Sequence, residues 1–167
     1  MSYLQFIVYL QQNQYLMEFS PTKLNTFLFF KLPSAFWCGV RVKCLTPTIC
    51  VATVKHRWFN QNPFNSIYFA VQAMAAELTT GALVMSQIKK SNKKISMLVA
   101  NNKGSFTKKA KGRITFTCSD GSLIEQAILK TIATGEGQTL WLKSIGVDAQ
   151  GDVVSEMDFE WSVRLKQ

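Results

Sequence analysis

Histidine is almost absent from this chain: His56 is the only one in 167 residues. The four cysteines, Cys38, Cys44, Cys50 and Cys118, include no Cys-x-x-Cys pair. A zinc centre would need an unusual ligand set from such a supply, and no metal site is expected. Nor does the spacing suggest a disulfide framework, so free thiols in a reducing cytoplasm are the simpler expectation. Charged residues are sparse, 17% against 47% apolar ones. That balance excludes a disordered chain, and the length suits one domain with a real core. Repeats, low-complexity tracts and linkers are missing after Ser20. The apolar run Tyr3 to Leu10 has no basic residue before it and no small-residue cleavage site, and it is too short to span a bilayer. With the polar Gln11-Gln12-Asn13-Gln14 behind it, it is expected to belong to an extension over residues 1–19, outside the folded domain, with Met17 as a candidate start of translation. Residues 20–167 then form a single domain.

Acid is missing from one long stretch. Between Lys89 and Arg113 there are nine Lys or Arg and no Asp or Glu, which accounts for the net charge of +9. Such a field attracts polyanions: nucleic acid, an acidic membrane surface, or the phosphates of a carrier such as coenzyme A. A solvated basic surface is the alternative. Only Phe106 interleaves with these cations, so a stacking platform for single strands is not expected, and neither is a nucleic-acid partner.

What is present reads as alternating elements. Ser20-Pro21 opens a helix with a capping side chain and proline at the first position. Leu24, Phe27, Leu28 and Leu32 follow at helical spacing up to Pro33. Phe29, Phe30, Phe36 and Trp37 widen the apolar face, which suits a helix covering a sheet or a partner, or lying on a membrane surface. Val40, Val42 and Cys44 alternate with Arg41 and Lys43 as a half-buried strand. Thr46-Pro47-Thr48 turns the chain into a second strand from Cys50 to Trp58. His56 falls in that strand and reads as structural. A long apolar helix comes next. Then a strand from Lys93 to Phe106 carries a turn or bulge at Asn101-Asn102-Lys103-Gly104, followed by a break at Lys108–Gly112. Ile114, Phe116 and Cys118 share one face of a further strand. Ser119-Asp120-Gly121-Ser122 caps a short helix with Leu123, Ala127, Ile128 and Thr131 on one face, ending near Gly135. Thr139 to Val147 and Val153 to Leu165 form a last hairpin around Gly151. The predicted class is α+β, an antiparallel sheet wrapped around the long helix.

That helix lies in Asn60 to Met85, an apolar stretch with a single carboxylate, Glu77, near its middle. A carboxylate so placed needs a partner or a chemical role, because burying it bare costs several kcal/mol or keeps it protonated. Asn62-Pro63 and Ser66 are alternative starts for the helix. A start at Asn62 would use the Phe69 N–H inside the helix, and a start at Ser66 would leave it free.

The order of elements resembles the hotdog fold. Tyr68-Phe69-Ala70-x6-Glu77 resembles the His-Gly-Gly-x6-Asp/Glu signature of hotdog acyl-CoA thioesterases, with Tyr-Phe-Ala in place of the small residues. Asn62 matches a polar position in the loop before the helix. Phe106-Thr107-Lys108-Lys109-Ala110-x-Gly112 is similar to a stretch these proteins carry later. Pro33-Ser34-Ala35-Phe36 and Asn60-Gln61-Asn62-Pro63-Phe64 look like a bacterial, DUF4442-like branch of the superfamily. The likeness covers about Ser20 to Gln167.

The resemblance implies hydrolysis of an acyl thioester. The Phe69 N–H would polarise the carbonyl, Glu77 would be general base or nucleophile, and Asn62 would assist. Tyr68, Ala70, Gln72 and Thr80 would touch substrate, and Lys108, Lys109, Lys111 and Arg113 would meet coenzyme A phosphates or an acyl carrier. Gln72 and Thr80 could equally be interface groups, with Glu77 hydrogen-bonded to Thr80 or to a partner chain. Coenzyme A would be part of the substrate, with no resident cofactor. Residues 69 and 77 lie about 12 Å apart along one helix, so the resemblance requires a homodimer or dimer of dimers with a composite site. The chain would be cytoplasmic, without a membrane span. A non-catalytic acyl-CoA or fatty-acyl binding protein is the other reading.

Overall fold

Ser20 caps the first described helix by accepting a hydrogen bond from the Lys23 N–H, with Pro21 at the first helical position. The computed structural model describes residues 20–166. Helix α1 (Pro21–Lys31) stops at Leu32 ahead of Pro33, and a short α2 (Pro33–Trp37) follows. Leu24, Leu28 and Ala35 face inward; Phe27, Phe30, Leu32 and Trp37 do not.

The strands are β1 (Arg41–Leu45), β2 (Cys50–Lys55), β3 (Ile95–Phe106), β4 (Arg113–Cys118), β5 (Gln138–Val147) and β6 (Val153–Leu165). They pair antiparallel throughout in the order β1-β2-β4-β5-β6-β3. Helix α3 (Phe69–Lys90) touches all six strands. Ala75, Ala76, Ala82, Leu83 and Val84 pack it into the sheet, the small side chains letting the backbone come close. Helix α4 (Gly121–Thr134) lies beside it and ends at Gly135, whose φ of 74° suits glycine. This is the hotdog arrangement expected from the sequence, with the predicted element order.

Two contacts show why the core tolerates little change. A Cβ on Gly146 would stand 2.5 Å from the Phe116 ring, so glycine here is what lets the fully buried phenylalanine fill the centre of the sheet. The Thr79 and Ser144 hydroxyls, both fully buried, meet at 2.8 Å and tie α3 to β5. Cys50 sits directly opposite Cys118 in the β2–β4 ladder, both fully buried, and burial raises both thiol pKa values.

Several boundaries differ from expectation. Strand β2 ends at Lys55, so His56 lies just past it. Its N–H donates to the Gly112 carbonyl, and its Nε2 is buried with no protein partner. Asn101–Gly104 is strand rather than turn, because β6 pairs with it residue by residue; the bulge falls between Val99 and Asn101. On α4 Ile128 and Thr131 are buried as expected, but Ile124 joins them in place of Leu123, which is half exposed. Asp120 does not cap α4: its carboxylate accepts instead from the Lys143 N–H at 2.7 Å. The expected extension over residues 1–19 lies outside the described residues.

Candidate active site

The long helix starts later than either expected position. Asn62 is no helix cap; its Oδ1 accepts from the N–H groups of Phe64 and Ser66 and from the Ser66 hydroxyl, closing a loop. Asn65 turns that loop through a left-handed conformation, φ 56°, which asparagine tolerates. The loop is then pinned from both sides. The Ile67 N–H donates to the Ala110 carbonyl at 2.8 Å, and the Tyr68 N–H to the Asn60 carbonyl at 2.9 Å. Pinning holds Tyr68 extended (φ −60°, ψ 138°) as the residue before the helix, and α3 begins at Phe69.

The consequence is chemical. The Val71 and Gln72 N–H groups both donate to the Tyr68 carbonyl, while those of Phe69 and Ala70 have no partner among the described residues. Two donors without a partner at the positive end of a 22-residue helix can receive an anion or a developing oxyanion. Phe69 lines a cleft of about 390 Å³, with Asn62, Phe64, Gln72, Phe106 and Lys109 also in its wall. The Phe69 ring stands edge-on to Tyr68 (4.9 Å) and Phe106 (6.5 Å), so aromatic surface takes the place of the small residues of the thioesterase signature. Gln72 stiffens the floor. Its amide donates to the Ile67 carbonyl at 3.2 Å, and its oxygen accepts from the buried Ser155 hydroxyl at 3.0 Å.

Glu77 lies two turns further along α3 and faces a different cleft of about 240 Å³, walled by Lys31 to Ala35, Met74 and Leu78. Its carboxylate has no hydrogen-bond or ion-pair partner among the described residues, and burial raises its pKa. It leans over Gly81 beside the Trp161 indole: a Cβ on Gly81 would lie 3.2 Å from Oε1 and 3.1 Å from the ring. Thr80 is not its partner. That hydroxyl donates to the Glu77 backbone carbonyl, accepts from Trp161 Nε1 at 2.9 Å and is fully buried, so it stands behind any bound substrate.

The structure therefore brings Phe69, Asn62 and Gln72 together on one cleft, leaves the expected substrate contacts Tyr68 and Ala70 out of its lining, and places Glu77 about 12 Å away along the helix. Lys108 lines the first cleft but is held at 2.6 Å by both Asp148 and Asp152, which keep its ammonium firmly charged. Lys109, Lys111 and Arg113 are exposed nearby. Sequence reasoning missed Ser155, Ile67 and Ala110, whose contacts arise only when β6 and the β3–β4 connection fold against the loop. It also missed Gly81, although a glycine inside a helix is a recognisable sign of close approach. Among the described residues no cluster of His, Cys, Asp or Glu could hold a metal.

The profile of a family described as a domain of unknown function, DUF4442, matches residues 22–163. No curated protein matches the chain in sequence. Among solved structures, a Pseudomonas aeruginosa protein described as of unknown function and a probable thioesterase superposes with a TM-score of 0.74. It is 24% identical, over 87% of this chain and 97% of its own. A Chlorobaculum tepidum protein of unknown function reaches the same TM-score at 13% identity, over 87% and 94%. A Haemophilus influenzae thioesterase gives 0.66 at 12% identity, over 88% and 92%. At these identities the likeness establishes a shared fold.

Proposed function

The chain belongs to the DUF4442 family and has a thioesterase-like hotdog fold, and on that premise we propose that it hydrolyses acyl thioesters at a site shared between two copies. The observation that carries this reading is the Phe69 N–H, without a partner among the described residues, on a residue that lines a cleft at the start of α3. A thioester oxygen seated there gains most hydrogen-bond strength as it becomes an oxyanion, which is what lowers a barrier.

The base comes from the second copy. Glu77 of that copy takes a proton from water as the water oxygen adds to the carbonyl carbon. The tetrahedral intermediate collapses, the C–S bond breaks, and the sulfur leaves as a thiolate that gains a proton, giving a carboxylic acid and a free thiol. A carboxylate without a partner and with a raised pKa is a better proton acceptor than an ordinary surface glutamate. The sheet edges support the pairing. Strand β1 is shielded by α1, where Asn25 exchanges two hydrogen bonds with Val42. Strand β3 is a 12-residue edge with an open side, the kind that accepts another strand. Lys109, Lys111 and Arg113 would meet the phosphates of coenzyme A, as part of the substrate rather than a resident cofactor; Lys108 would anchor the wall.

Hydrolysis of a panel of acyl-CoA esters tests this directly. Glu77→Gln should cut the rate on the order of a hundredfold or more; equal rates in both proteins would remove Glu77 from the mechanism. The aromatic residues at the thioester's approach favour one other reading, an acyl-binding protein without turnover. Thermal stabilisation by an acyl-CoA that is never cleaved would establish it.

A further inference from the structure

Charge is segregated along the chain far beyond the basic stretch before β4. Residues 19–119 hold fifteen Lys or Arg and a single acid, Glu77, whereas residues 120–167 hold four and eight. The acid-poor part also carries the most exposed aromatic rings among the described residues. Phe30 is 69% exposed, Trp37 64%, Trp58 83% and Phe59 64%. Side chains of this kind normally contribute to a core or an interface.

They belong to two segments tied together. The Asn60 side chain donates to the Cys38 carbonyl, just after Trp37, and to the Lys55 carbonyl, just before the Trp58 turn, both at 2.9 Å. Around Trp37 the rings form one cluster: Phe29 meets Phe30 at 4.9 Å and Phe36 at 5.1 Å, and Phe36 meets Trp37 at 5.9 Å, all edge-on. The Arg41 guanidinium covers the Phe36 ring at 3.7 Å. Lys31, Lys55 and Arg57 lie on the same segments, and no acid lies anywhere from residue 19 to residue 76.

We propose that the face formed by α1, α2 and the Lys55–Asn60 segment docks on the surface of an anionic lipid bilayer. Aromatic rings settle at the level of the headgroups, and the surrounding cations meet lipid phosphates. Charge selects this occupant. A second copy docked through the same face would set cations against cations across a two-fold axis. The rings also pack against one another rather than standing apart as base-stacking steps, which disfavours a nucleic acid. Lys31 and the α1–α2 junction also wall the Glu77 cleft, but Lys55, Arg57, Trp58 and Phe59 line neither cleft, so variants at these four test attachment apart from the thioester chemistry.

Flotation of the full chain with vesicles tests it, comparing phosphatidylcholine alone with phosphatidylcholine containing phosphatidylglycerol. Binding should require the anionic lipid and weaken with added salt. A Trp58→Ala/Phe59→Ala variant, both sites exposed and outside the core, should bind about tenfold more weakly, and Lys55→Glu/Arg57→Glu should do the same. Equal binding to both vesicles, binding to neither, or an unchanged Trp58→Ala/Phe59→Ala variant would overturn the proposal. Retention on a single-stranded oligonucleotide without vesicle binding would reassign the face to nucleic acid. A change in oligomeric mass in the same variant, without lipid, would reassign it to a second copy.

Discussion

The two clefts along α3 differ in what they offer a substrate. The one at the helix start has hydrogen-bond donors, aromatic walls and nearby lysines, but no carboxylate. The one at mid-helix has a carboxylate without a partner among the described residues, and walls that are apolar apart from Lys31 and Ser34. Each holds half of what acyl transfer to water requires. One helix cannot bend to join them, because two turns of hydrogen-bonded backbone fix the separation at about 12 Å. Symmetry can: in the proposed dimer, a two-fold axis setting one chain's helix start against the other's mid-helix would complete two sites at once.

The sharpest way to break this comparison is to empty one half. Phe69→Pro deletes the donor while keeping a residue favoured at the first helical position, and the extended Tyr68 accepts a following proline. Activity should fall by about 10²–10³, whereas Phe69→Ala, which keeps the N–H, should lose much less. A steady-state comparison of the two variants separates the backbone's role from that of the ring. Mixing Phe69→Pro with Glu77→Gln then tests sharing. Subunit exchange should restore about a quarter of wild-type activity, since half the dimers are mixed and each has one intact site. A mixture as inactive as its components would place both halves of each site in one chain.

How far the sequence foretold these halves follows from the range of the forces involved. Helix, strand and turn signals are local, and the order of elements, the capped start at Ser20 and the hairpin at Gly151 came through. Glu77 was visible because a lone acid in an apolar helix is a local anomaly. The helix start was not, because Asn62-Pro63 is a good local signal overridden by distant contacts, Ile67 to Ala110 and Tyr68 to Asn60. The same reason hid Ser155 behind Gln72 and misplaced Thr80 at the substrate, when Trp161 from β6 holds it.

Smaller effects sharpen the comparison. Gln72→Ala leaves the Ser155 hydroxyl and the Ile67 carbonyl without their partner in a buried place. Stability should fall by about 1–3 kcal/mol in denaturant titration, and kcat should fall more than KM rises, since the donors lose their backing. The mid-helix cleft should respond mainly to pH. Because burial raises the Glu77 pKa in the folded state, folded protein holds a proton that unfolded chain has already released. Stability should therefore drop as pH rises from the ordinary carboxylate range through the raised value. Glu77→Gln removes that loss and should melt higher than wild type at neutral pH. In wild type, kcat/KM should fall on the acid side of the same raised value as the base becomes protonated.

The facing thiols of Cys50 and Cys118 supply a built-in clock. Both are fully buried and, with raised pKa values, carry little thiolate at neutral pH. A thiol reagent can reach them only when the packing over their face of the sheet opens. Their labelling rate, set against that of the exposed Cys44, thus times that opening in unmodified protein.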